Sequence, residues 1–263
     1  MHSLFLCSVF VWTRYRVNYI YIMDLDPSVV MSPISLFNDA VDDTLIFLIC
    51  MLLYYKAGAH DIPGDFPPGI FPAFTVFYAL YRLILPLKRR IPMWNAIWKV
   101  VSTPMTSPSF FHSYVGDIFT SMVKVFQDLV WTFFYMLSGD FMDHKDRLKK
   151  AEPWSKTTWY SKLLIPLITL LPLWFRFNQC LRRYMDTRQR LPHLANAFKY
   201  ALSMTVTLFG AFHPLYMNNR GESSVFQIFW SFVFVASSLY SFTWDVYMDW
   251  GLGRPKHGFL GKM

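Results

Sequence analysis

Six stretches of about 20 mostly apolar residues dominate the sequence, at 34–56, 68–87, 113–138, 158–180, 194–216 and 224–247. A helix needs roughly 20 such residues to cross the hydrocarbon core of a bilayer, so runs of this length must enter either a very large core or lipid. Composition decides between the two. Apolar residues make up 54% and charged residues only 16%, whereas soluble domains carry roughly 25% charge. Mean hydropathy is +0.27. Too little charge is present to coat a soluble surface or to keep the chain disordered. The expectation is an all-α, polytopic helical membrane protein with about six full spanning helices and a partial one at the N-terminus.

The basic residues sit at the ends of the runs, which explains the net charge of +8 without nucleic acid. Lys88, Arg89, Arg90 and Lys99 follow the second run. Arg182, Arg183, Arg188 and Arg190 follow the fourth, and Arg254, Lys256 and Lys262 the sixth. These loops alternate so as to share one side, which the positive-inside rule makes cytosolic. The loops at 140–156 and 217–222 are weaker in charge, and Gly58, Pro63 and Gly64 mark a break at 57–66. Residues 3–12 are apolar but too short to span. Arg14 and Arg16 follow rather than precede them and no small-residue cleavage site comes after, so they read as the tail of a helix rather than a signal peptide. Residues 91–101 suit a helix lying in the interface. Cys7, Cys50 and Cys180 all lie inside apolar runs and make neither a disulfide framework nor a CxxC pair.

An ion at the bilayer centre costs from about 2.5 kcal/mol upward, so charges inside the runs are functional candidates by default. Asp117 and Asp128 are eleven residues apart in the third run, near three helical turns, and would share a face. Lys124, four residues before Asp128, offers that carboxylate a local partner, whereas Asp117 has none and could face a polar cavity. Arg176, Gln179 and Arg183 form one stripe on the fourth run. Arg183 reads as snorkelling to the interface, while Arg176 lies deeper among Trp174, Phe175 and Phe177. Its guanidinium is a fixed cation with a planar fork of donors suited to an oxyanion.

Lys199 and Tyr200 place a cation and a phenol at one depth near the start of the fifth run, although Lys199 could also snorkel. Asp245 and Asp249, four apart in WDVYMDW, share a face and repel, which calls for a cation between them. Arg176 and Lys199 are the candidates, and Mg²⁺ is the alternative, though no third carboxylate stands near. The histidines lack ligand spacing, and neither GxSxG nor a phosphate-cradling loop is present. No catalytic residue, metal site or cofactor is expected, and the chain does not read as an enzyme. Fixed cations offset by carboxylates suit a path that binds a small anion weakly enough to release it.

The segments WFRFNQCLRRYMDTRQRLPHLANAFKY (174–200) and SSLYSFTWDVYMDWGLGRPKHGFLG (237–261) resemble the EXS domain of eukaryotic phosphate exporters. That family includes the xenotropic and polytropic retrovirus receptor of animals and the plant phosphate exporters. The resemblance covers roughly 14–261 and implies export of inorganic phosphate through a path enclosed by the helices. On the matching motifs, Arg176, Lys199 and Tyr200 would coordinate phosphate, Asp245 and Asp249 would orient those cations, and Asp117 would be a pore aspartate. Partners expected are inorganic phosphate and the lipid bilayer, with a homodimer among the arrangements allowed and nucleic acid excluded. The location would be the plasma membrane or the Golgi and endomembranes. A non-conducting Golgi retention or interaction protein of the same family is the alternative. The family's N-terminal SPX domain, its complete first helix and its last two helices have no counterpart here. The expectation is therefore a chain truncated at both ends, with a helix tail and loop at 1–30 and an incomplete EXS domain at 31–263.

Overall fold

The computed structural model describes residues 2–25, 30–59, 67–139, 141, 154–212 and 225–253. The expected breaker residues Pro63 and Gly64, most of the 140–156 loop, the 217–222 loop and the basic tail with Arg254, Lys256 and Lys262 lie outside them. Among the described residues every regular element is helical. In chain order these are α1 (His2–Arg14), α2 (Tyr19–Ile22), α3 (Pro33–Gly58), α4 (Ile70–Ile84) and α5 (Leu87–Val101). Then come α6 (Phe110–Ser121), α7 (Val123–Leu137), α8 (Ile165–Thr187), α9 (His193–Phe212) and α10 (Val225–Trp244). A π-helical turn, Tyr160–Leu164, leads into α8, and a second, Asp245–Asp249, extends α10. Each of the six apolar runs is thus helical over most of its length, and residues 3–12 and 91–101 fall inside α1 and α5.

The chain divides into two compact units. One comprises residues 1–98, 109–112 and 128–153; the other comprises 99–108, 113–127 and 154–263. In the first unit α3 packs against α1 and α4. Ser32 caps α3 by accepting from the Ser35 amide at 3.2 Å, with Pro33 at the first helical position. Arg82 of α4 reaches Asp39 (Nη2 to Oδ1, 3.0 Å) and Asp43 (Nε to Oδ1, 3.1 Å), one turn apart on α3. Tyr78 donates to the same Asp43 oxygen at 3.2 Å. An apolar cavity of about 320 Å³ between α3 and α4 is lined by Ile46, Ile49, Cys50, Leu53, Ile70, Phe71 and Phe74. Without a polar donor in its wall it offers nothing to an anion.

The second unit is built on an antiparallel helix pair. α8 is capped by Arg188, which adopts a left-handed φ of 58°, and the five residues 188–192 turn the chain into α9. Cys180, Ala197 and Tyr200 are buried together, with Leu173, Phe177 and Leu181 packed around them. α10 lies along α9, where Tyr240 Oη donates to the Ala195 carbonyl at 3.0 Å and Trp230 Nε1 to the Val206 carbonyl at 3.3 Å. The polarity of this unit is inverted relative to a soluble domain. Phe229, Phe232, Leu239 and Phe242 of α10 are exposed, while Arg176, Asn178, Gln179 and Lys199 are buried. Among the described residues, the 28-residue continuous helix Tyr160–Thr187 is long and apolar enough to cross a membrane by length and composition.

Two segments depart from plain α-helix. The third run is not one helix: it breaks at Met122 between α6 and α7, so Asp117 and Asp128 stand on separate helices. The hydroxyls of Thr120 and Ser121 both donate to the Asp117 carbonyl, at 2.7 and 3.2 Å. Such side-chain bonds compete with the helical ladder at this carbonyl. The WDVYMDW segment is likewise not plain α-helix. Its π-turn closes through the Trp250 amide on the Asp245 carbonyl at 2.8 Å, a five-residue step. Gly251, at φ +66°, then ends the helix in a conformation that other residues adopt only with strain.

Candidate anion path

The six candidate residues lie within the second unit, on four elements. Asp117 comes from α6, Arg176 from α8, Lys199 and Tyr200 from α9, and Asp245 and Asp249 from the π-turn after α10. They form two constellations that meet at the Tyr200 ring.

In the first, Arg176 Nε lies 2.7 Å from Asp117 Oδ1 and donates to Tyr200 Oη at 3.0 Å. Tyr200 Oη in turn donates to the same Asp117 oxygen at 2.8 Å. The phenol both accepts from the cation and donates to the carboxylate, closing a triangle. Arg176 Nη1 also donates to Gln179 Oε1 at 2.7 Å, one turn along α8. In the second constellation Lys199 Nζ donates to Asp245 Oδ1 at 3.0 Å and stands 3.8 Å from Asp249 Oδ2. The two cations share the Tyr200 ring: Arg176 Cζ is 5.2 Å and Lys199 Nζ 4.9 Å from its centroid. Both distances are within the reach of a cation–π attraction.

Burial separates the charges by sign. The side chains of Arg176 and Lys199 are 7% and 9% exposed, whereas those of Asp117, Asp245 and Asp249 are 49%, 43% and 50% exposed. The cations are thus anchored inside the helix cluster and the carboxylates form its accessible side. Desolvating a cation costs several kcal/mol unless it is paired and hydrogen-bonded, and here each has a carboxylate at hydrogen-bond distance. The Asp245–Asp249 pair has its cation supplied by Lys199. Among the described residues no group of three or more His, Cys, Asp or Glu side chains gathers.

The structure therefore brings the six residues into one cluster and divides them in a way the sequence did not specify. Arg176 serves Asp117 rather than the Asp245–Asp249 pair, and Lys199 serves that pair without snorkelling. Arg182, grouped with the basic loop from sequence, bonds Asp186 at 3.0 Å, the Pro104 carbonyl at 3.2 Å and Ser107 Oγ at 3.3 Å. Three further polar residues make contacts that the sequence pattern does not single out. Gln179 stands in the sequence only as part of a stripe. Arg82 and Tyr78 stand in the second apolar run, where an arginine alone was sufficient signal.

All of these residues fall within the stretch matched by the model of the EXS family, residues 1–262. The chain belongs to the EXS family. The SPX and EXS domain-containing protein 1 of Dictyostelium discoideum is 32% identical over 258 residues, covering 95% of this chain and 27% of that protein. Solute carrier family 53 member 1 of Homo sapiens is 30% identical over 250 residues, 92% of this chain and 35% of that protein. The xenotropic and polytropic retrovirus receptor 1 homolog of Danio rerio is 32% identical over 252 residues, with the same coverage of 92% and 35%. This EXS chain spans about a third of the length of these relatives.

Proposed function

We propose that this EXS chain forms a multi-pass membrane unit that carries inorganic phosphate, with Arg176, Lys199 and Tyr200 as its anion-binding groups and Asp117, Asp245 and Asp249 as their counter-charges. The observation that carries this reading is the shared Tyr200 ring. Two cations buried among apolar helices converge on it, and both are faced by half-exposed carboxylates. Such an arrangement is costly to maintain in an apolar surround and is characteristic of a substrate path. The exposed Phe and Leu side chains of α10 fit a lipid-facing surface, and kinship with a solute carrier favours transport over catalysis.

A phosphate approaching from the accessible side meets the carboxylates first and gains Arg176 or Lys199 only as a carboxylate yields. Three carboxylates against two cations leave no surplus positive charge among these six residues. Capture therefore requires that one carboxylate be protonated or displaced from its cation. The same balance keeps binding weak enough for release, as conduction demands.

The test is efflux of radiolabelled phosphate from loaded proteoliposomes, comparing the wild type with Arg176→Ala. The variant should insert normally and lose flux. Undiminished flux would remove Arg176 from the path.

A further inference from the structure

We propose that Gln179, seated against Gly116, is a positioning residue that holds the Arg176 guanidinium in the orientation offered to phosphate; the proposal rests on the reading of this cluster as a phosphate path. Gln179 is 1% exposed, among the most buried side chains in the chain. Its Oε1 accepts from Arg176 Nη1 at 2.7 Å, while Asp117 and Tyr200 hold Nε. Two edges of the planar fork are thereby pinned. A rotamer-rich side chain fixed at two points loses its freedom before the ligand arrives, so less entropy is lost on binding. The acceptor is also neutral. A carboxamide orients the guanidinium without cancelling the charge that phosphate needs, which a carboxylate in the same place would do.

Gly116 is the second half of the device. A Cβ at this position would stand 2.6 Å from Arg176 Cδ, 2.8 Å from Gln179 Oε1 and 3.3 Å from Gln179 Nε2. Its absent side chain is the space in which the arginine stem and the carboxamide meet. Gly116 is required here by close approach, and its backbone leads directly into Asp117. One residue thus sets the room for the arginine stem and for the carboxamide that holds it.

The experiment is equilibrium binding of radiolabelled inorganic phosphate to the purified chain, reading the dissociation constant and the number of sites separately, beside a thermal midpoint. Wild type should bind and Arg176→Ala should not. If neither binds, or both bind alike, the phosphate-path reading itself fails. With that baseline met, Gln179→Leu and Gln179→Met should each weaken binding about tenfold or more, the scale of a hydrogen bond to a charged group. Site number and thermal midpoint should be retained. Gly116→Ala should weaken binding in the same sense. Wild-type affinity in both Gln179 variants overturns the proposal. So does loss of sites or of folded protein at unchanged affinity, because that marks a structural role alone.

Discussion

Lys199 has two carboxylates within reach, and their unequal distances predict an unequal and non-additive response to their removal. Asp249→Asn leaves the 3.0 Å bond to Asp245 intact and removes a half-exposed partner at 3.8 Å. The cost should be that of a surface ion pair, about 0.5 kcal/mol. Asp245→Asn removes the direct bond and leaves Lys199 to rely on Asp249, at about 1–2 kcal/mol for a charged hydrogen bond partly replaced. The double variant leaves an ammonium that is only 9% exposed with neither carboxylate, which should cost about 3–5 kcal/mol. The double loss should therefore exceed the sum of the single losses by about 0.5–3.5 kcal/mol, as expected for groups sharing one partner. Adding Lys199→Met to the double variant removes the stranded charge and should restore most of the loss, because an apolar side chain there needs no partner. Unfolding of the detergent-purified variants by heat or denaturant measures the cycle. Additivity within about 0.3 kcal/mol, Asp249→Asn costing more than Asp245→Asn, or no recovery with Lys199→Met would each refute the reasoning.

Other variants test the remaining contacts. Tyr200→Phe deletes the hydroxyl that accepts from Arg176 at 3.0 Å and donates to Asp117 at 2.8 Å. It should destabilise by about 1–3 kcal/mol in the same unfolding assay, with the ring and its cation contacts kept. Arg82→Met, in the first unit, removes the guanidinium that bonds Asp43 and Asp39, the latter with a side chain 10% exposed. A loss of about 3 kcal/mol is expected, part of it recovered by adding Asp39→Asn, and denaturant titration of the single and double variants reads both.

Much of the helical framework was legible because its cause is local. Long apolar runs form helices whatever they pack against, and each of the six runs does. The failures were local too, but they arise from competition that hydropathy does not register. Thr120 and Ser121 turn their hydroxyls onto the Asp117 carbonyl where the third run breaks, and the Asp245–Asp249 turn widens to a π-helix. The candidate residues were legible one by one, since an Arg, a Lys or an Asp within an apolar run is conspicuous by its desolvation cost. Gln179 was harder to find because a neutral amide in a helix carries no such cost until it is seen buried against Arg176.

The sequence by itself determined that this chain is helical, that a few ionisable residues lie within apolar surroundings, and that its segments are those of the EXS family. Tertiary structure decided the pairing. Asp117 and Tyr200 are 83 residues apart and Lys199 and Asp245 are 46 apart, so neither contact has any local signal. Which carboxylate meets which cation depends on how α6, α8, α9 and the turn after α10 pack. The charges are offered by the chain, but a distance of 3 Å between them exists only after the helices have met.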